Sequence, residues 1–187
     1  MEQGHYYNLS SELLEKLKET DEYFCQARRK TGLISHRLDA IQEIHHPCDG
    51  ERGVVQQEDL ERLIPIWQDM VFEMEGIRHE AEFCRQKILR HIQRRSLFLW
   101  KNEEGETVAI TGRGDMRKYS KVNAVYTLPG YRRKGYAINL VHQVTQDILK
   151  DGLIPILYTD ADYIASNSCY EKIGYRPVGQ LCTAIRK

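Results

Sequence analysis

The sequence predicts a mixed α/β layer fold, with a mostly antiparallel central sheet, one parallel strand pair and flanking helices. Three observations predict it. Apolar residues recur at helical spacing from Leu60 to Met74 and from Ala81 to Ile92. Two apolar runs, Ser96–Trp100 and Thr107–Ile110, flank the polar turn Asn102–Glu106, as in an antiparallel hairpin. A strand–helix–strand crossover then runs from Val122 to Thr159.

In chain order, Ser10 and Ser11 can cap a helix through Leu13, Leu14 and Leu17. Asp21 can cap a second helix, carrying Phe24 and Ala27 and stopped at Gly32. Residues 34–44 fit two readings: Ile34, Leu38 and Ala40 alternate as in a strand, whereas Leu38, Ile41 and Ile44 fit a helix. Pro47-Cys48-Asp49-Gly50 is a turn, and Val54-Val55 a short strand. Pro65 lies inside the first long helical pattern, so that helix is kinked or starts late. The next helix ends in the basic stretch Arg90–Arg95. Val122–Thr127 is a strand broken by Leu128-Pro129-Gly130. Gly135 opens a helix whose apolar stripe is Ala137, Leu140, Val141, Val144 and Ile148. Ile154–Thr159 is apolar enough for a buried parallel strand. Ser166–Ile173 is a short helix closed by Gly174, and Leu181–Ile185 is the last strand.

The 187 residues fit one domain, or one domain with an appendage. Lys+Arg and Asp+Glu are both 27, and a neutral chain is not built to coat nucleic acid or an anionic membrane. No apolar run approaches the ~20 residues that span a bilayer. Neither a nucleic-acid nor a membrane partner is therefore expected. The start Met1–His5 lacks a basic segment followed by an apolar one. Cys25, Cys48, Cys84, Cys169 and Cys182 are far apart and form no Cys-x-x-Cys pair, as in a cytoplasmic protein with reduced thiols. His45-His46-Pro47-Cys48 reads as a turn and not as zinc ligands, because adjacent side chains rarely hold one metal; no metal is expected. The basic run Arg85–Arg95 reads as the solvated face of a helix. The Ser10–Lys30 helices are open to three readings: a homodimer interface, a lid or a scaffold.

Two segments carry chemistry. In Val125–Ala137 a strand ends, the chain turns, and a helix starts at Gly135 behind Arg132, Arg133 and Lys134. A helix N-terminus offers unpaired N–H groups to a phosphate, and Gly135 and Ala137 allow close approach. The segment is neither a Walker loop nor a dinucleotide fingerprint. A plain strand–helix junction with a solvated basic turn explains these residues equally well. In Asp160–Tyr175, Asn167 and Tyr170 stand three apart, so one helix face can present both. Taken alone, Tyr170 reads equally as core.

Together, the two segments resemble the acyl-CoA-binding half of the GNAT superfamily of N-acetyltransferases. The signature (Gln or Arg)-x-x-Gly-x-(Gly or Ala) is met by Arg132, Gly135 and Ala137, after the strand residues Val125, Tyr126, Thr127 and Pro129. A second signature, Ser-Asn-x-x-Tyr-x-Lys-Ile-Gly-Tyr, is met by Ser166, Asn167, Tyr170, Lys172, Ile173, Gly174 and Tyr175. The resemblance is firmest from Val122 to the end and looser back to about Arg52. It implies a GNAT fold with a splayed parallel pair, an acetyltransferase domain over residues 51–187, and an extension over residues 1–50. That extension resembles the tail of the N-terminal half of two-part bacterial GNAT proteins. The sequence departs from the pattern at Tyr163-Ile164, where many relatives have Asn-Pro, and this puts the acceptor-side loop in question.

The resemblance also implies a mechanism: direct transfer from acetyl-CoA, the co-substrate, to a primary amine of a small molecule or peptide. The pyrophosphate would lie on the backbone of Arg133, Lys134, Gly135, Tyr136 and Ala137, with Arg132 adding charge. The pantetheine would pair with the strand Val125-Tyr126-Thr127. The N–H of Tyr126 would polarise the thioester carbonyl. Tyr170 would protonate the leaving thiolate, and Asn167 would contact the cofactor arm. Glu73, Glu75, His142 and Asp160 are candidate bases, with a water chain as an equal alternative. The alternative function is a CoA-binding regulatory or interaction module without turnover.

Overall fold

The structure is a computed structural model that describes residues 5–161 and 164–186; the side chains of residues 5, 6, 30, 164–167 and 186 lie outside the description. Contacts divide the chain into two units, Met1–Gln42 with Ile156–Lys187, and Glu43–Pro155. The strands form a mixed, mostly antiparallel sheet with one parallel pair, flanked by helices, as the sequence predicts. Among the described residues no helix is long and apolar enough to cross a membrane.

In the first unit, β1 (His5–Leu9) is followed by α1 (Ser11–Thr20) and β2 (Arg28–Leu38). Ser10 caps α1, its hydroxyl accepting from Leu13 N–H at 3.1 Å. The expected second helix is absent. Asp21 instead accepts from Tyr23 N–H at 2.8 Å and turns the chain, and β2 begins at Arg28, before the expected stop at Gly32. Residues 34–38 thus take the strand reading. β2 lies antiparallel between β7 (Ile154–Asp160) and β8 (Tyr175–Arg186), and β1 covers the other edge of β8. Leu14, Ala27, Cys182 and Ala184 form a small core there. Between β7 and β8 runs α5 (Ile164–Ile173), which starts two residues before the expected Ser166.

In the second unit, β3 (Glu51–Val54) precedes α2 (Leu60–Glu75) and α3 (Ala81–Arg94). The helix α2 runs through Pro65 from Leu60, after one turn of 3₁₀ helix at Gln57–Asp59. Then come β4 (Leu97–Lys101), β5 (Thr107–Met116) and β6 (Tyr119–Thr127), an antiparallel meander in which β3 pairs with β4. Leu63, Ile64, Trp67 and Met70 of α2 pack with Cys84 and Ile88 of α3 against Leu97, Leu99, Ile110 and Tyr126. This burial is the main source of the unit's stability. The helix α4 (Tyr136–Lys150) buries Leu140, Val141, Val144 and Ile148, as its stripe predicts.

Candidate functional site

The basic turn lies wholly in the second unit. After Thr127 a 3₁₀ turn covers Pro129–Tyr131, and Arg133 and Gly135 both take left-handed backbone, at φ 64° and 90°. Gly135 caps α4, and its backbone suits glycine. Among the described residues, none accepts a hydrogen bond from the backbone N–H of Arg133, Lys134, Gly135, Tyr136 or Ala137. Such a run of unpaired donors at the positive end of a helix suits an anion.

A strap from His46 to Gly50 lies against this helix start. The side-chain amide of Asn139 donates to the carbonyl of His46 at 2.6 Å and to that of Gly135 at 2.9 Å, and lies 3.2 Å from Cys48 Sγ. A Cβ at Gly135 would lie 3.4 Å from the His46 oxygen. The hydroxyl of Tyr136 donates to Asp49, and the Trp100 indole donates to the Asp49 carbonyl at 2.7 Å. The Asp49 bond pushes the Tyr136 phenol up to about 12 and, with further hydrogen bonds, holds the Asp49 carboxyl below its ordinary value. The turn read from Pro47-Cys48-Asp49-Gly50 is therefore tied to α4 by polar contacts. Sequence reading missed this role, as nothing local links Asn139 to His46.

Arg132 does not face the unpaired donors. Its Nη2 donates to both Glu73 oxygens, at 2.9 and 2.6 Å, and its Nε donates to the Thr127 carbonyl at 3.0 Å. The hydroxyl of Tyr126 donates to the same carboxylate at 2.8 Å, and the Arg132 guanidinium lies 5.5 Å from the Tyr126 ring centre. Burial and then the Glu73 bond push the Tyr126 phenol up to about 12. Burial pulls the Glu73 carboxyl up, but the Tyr126 and Arg132 hydrogen bonds outweigh it and hold it below the ordinary range. A carboxylate so held is a poor base. Among the other candidate bases, Glu75 is exposed at the end of α2 and His142 is half-buried on α4. Asp160 ends β7 in the other unit.

The strand β6 has a feature that the sequence does not announce. Its register against β5 slips between Ile110 and Gly112, and Ala124 takes φ 48° there. This is a β-bulge, which re-aims backbone groups. Leu128 N–H donates to Val108 at 3.0 Å. By the alternation of an antiparallel ladder, Tyr126 N–H also faces β5, and the N–H groups of Val125 and Thr127 face the other edge.

Tyr170 belongs to the first unit. It is 9% exposed and meets Tyr175 edge-on, with ring centres 6.3 Å apart. Burial, and then Cys169 and Tyr175, push its phenol well above the ordinary value, so it keeps its proton at neutral pH. Tyr163 and the side chains of Ile164, Ser166 and Asn167 lie outside the described residues.

A family model described as FR47-like protein matches residues 102–183. No curated protein matches the sequence. The fold is similar to that of a GNAT-family acetyltransferase from Colwellia psychrerythraea, at 15% identity and TM-score 0.70, over 98% of this chain and 65% of that one. It is similar to a GCN5-related N-acetyltransferase from Sphaerobacter thermophilus, at 17% identity and TM-score 0.67, over 98% and 58%. A ribosomal-protein-alanine N-acetyltransferase from Brucella melitensis matches at 17% identity and TM-score 0.62, over 73% and 98%. The chain thus spans just under two thirds of the Colwellia protein. The FR47-like match covers less than half of this chain, and what the chain shares with these structures is the GNAT fold.

Proposed function

We propose that the chain is an N-acetyltransferase that moves an acetyl group from acetyl-CoA to a primary amine of a small molecule or peptide. The observation that carries this reading is the turn Arg133–Ala137, with its unpaired N–H groups and its left-handed Gly135. These groups fit a pyrophosphate, and Arg133 and Lys134 add charge. Acetyl-CoA supplies an acetyl group activated as a thioester. The β6 edge at Val125 and Thr127 offers N–H donors to an extended arm and to the thioester carbonyl, in place of Tyr126 N–H. Tyr126 and Arg132 act through Glu73, fixing β6 to α2. Tyr170 keeps the proton that the thiolate takes when the amine nitrogen bonds the carbonyl carbon and the C–S bond breaks. The amine gives its own proton to water, and water returns one to the Tyr170 phenolate. Asn167 remains the proposed contact to the cofactor arm, and the boundary near residue 50 remains the proposed start of the transferase domain.

Titration calorimetry with acetyl-CoA tests the reading, on the wild type and on Gly135→Glu, with circular dichroism as the folding control. Micromolar binding that the substitution abolishes supports it. A folded wild type that does not bind overturns it. Binding without CoA release against any amine leaves the CoA-binding module.

A further inference from the structure

The helix α3 carries Lys87, Arg90, His91 and Arg94 on one face, three or four residues apart. They line a groove of about 200 Å³. Arg85, on the same helix, is paired with Glu61 and Glu82. Among the described residues, Lys87, Arg90 and Arg94 have no carboxylate partner; the Lys87 ammonium lies 5.2 Å from the Phe83 ring centre. His91 is half-buried, with Nδ1 2.8 Å from Ser96 Oγ. Burial lowers its pKa, a hydrogen bond at Ser96 opposes this, and Arg94 and Lys87 lower it further. The groove thus combines three basic side chains with a half-buried imidazole, in a chain of zero net charge.

Its place in the fold gives it meaning. A Cβ at Gly112 would meet Asn123 Oδ1 at 2.5 Å and His91 Cε1 at 3.5 Å. The groove's His91 and the Asn123 side chain therefore both flank Gly112, which pairs with Asn123 across β5 and β6. Asn123 directly precedes the bulge residue Ala124 and stands two residues before Val125, the proposed start of the thioester edge. The phosphate turn follows the C-terminal end of β6, after Thr127. The groove thus adjoins the middle of β6, four residues before Thr127, and nothing proposed for acetyl-CoA uses its cations.

We propose that this groove binds an anionic group, a carboxylate or phosphate, carried by the same molecule as the accepting amine. Arg90 and Arg94, one helical turn apart, present planar guanidinium forks that suit such oxygens bidentately. The proposal rests on the acetyltransferase reading for the amine, but not for the anion.

Two measurements test it. Inorganic phosphate is titrated into the labelled protein, and the His91 imidazole and Gly135 amide are followed by NMR. The expected result is a saturable shift at His91 that Arg90→Gln/Arg94→Gln abolishes, with the Gly135 response retained. Amines are then compared in matched pairs, an amino acid against its amide and an aminoalkyl phosphate against the aminoalcohol. The anionic member is expected to be preferred about tenfold in kcat/KM, and the preference to collapse in the double variant. Which pair shows it separates carboxylate from phosphate. A His91 signal unmoved by phosphate, or a preference unchanged in the variant, overturns the proposal. So does steeply salt-dependent oligonucleotide binding, lost in the variant, with no preference among amines. If no amine is acetylated, the transferase reading falls alone and the His91 response decides the groove.

Discussion

Arg132 closes on Glu73 through two hydrogen bonds, at 2.9 and 2.6 Å, and so links the start of the basic turn to α2. The sequence motif assigns this arginine to phosphate. Its side chain is instead held by Glu73 and the Thr127 carbonyl, and the proposed anion site uses backbone N–H groups with Arg133 and Lys134. Arg132→Gln is therefore expected to change acetyl-CoA affinity by less than about threefold, or roughly 0.6 kcal/mol. Calorimetry checks this. A tenfold loss would mean that Arg132 leaves Glu73 when the ligand binds.

Glu73 gives a prediction about pH. Its folded pKa lies below the ordinary 4.5, because the Tyr126 and Arg132 bonds outweigh burial. Its contribution to stability is therefore full above that value and is lost as pH falls through the lower, folded one. The pair is about two-fifths exposed on each side, so the contribution is less than about 1 kcal/mol. Glu73→Gln is expected to lower the urea midpoint at pH 7 and to leave it nearly unchanged at pH 3. Equal losses at both values would show that the charge is not what stabilises. The same substitution is expected to leave any near-neutral limb of the pH–rate profile in place, since Glu73 is not the proposed base.

Tyr170→Phe keeps the ring against Tyr175 and removes only the hydroxyl. If that hydroxyl donates to the leaving thiolate, turnover falls by about 10²-fold while acetyl-CoA affinity stays within twofold. Steady-state kinetics with calorimetry separates the two. Unchanged turnover would remove Tyr170 from the acid role and leave it as core.

Most of the fold was legible because its elements carry strong periodicity. The α4 stripe, the β4–β5 hairpin and the Gly135 helix start all repeat a local rule over several residues. The failures have equally physical reasons. Asp21 and Phe24 suit a helix start as well as a turn, and only burial of Phe24 and Ala27 against Cys182 and Ala184 selects the turn. The bulge at Ala124 was invisible because alanine carries no signal for a positive φ. At the candidate site, the glycine and the basic residues were readable from spacing. The partners of Arg132 and of the strap were not, since Glu73 is 59 residues from Arg132 and His46 is 93 from Asn139.

The strap itself gives the last prediction. Asn139 joins His46, Cys48 and Gly135 through one side-chain amide, and Gly50 permits the sharp return, since a Cβ there would lie 1.9 Å from the Lys101 carbonyl oxygen. Cys48 is half-buried, and burial raises its thiol pKa. Both effects slow its reaction with thiol reagents. Asn139→Ala removes the tie and is expected to speed alkylation of Cys48 by about tenfold, measured by peptide mass spectrometry in a Cys25→Ser background. The strap lies beside Gly135, where the His46 oxygen is 3.4 Å from the position of a Cβ, so we expect a ligand on the neighbouring N–H groups to affect it. Acetyl-CoA is therefore expected to change the Cys48 rate in the wild type and to change it less in Asn139→Ala. A rate indifferent both to the substitution and to acetyl-CoA would mean that the strap neither shields Cys48 nor touches the ligand.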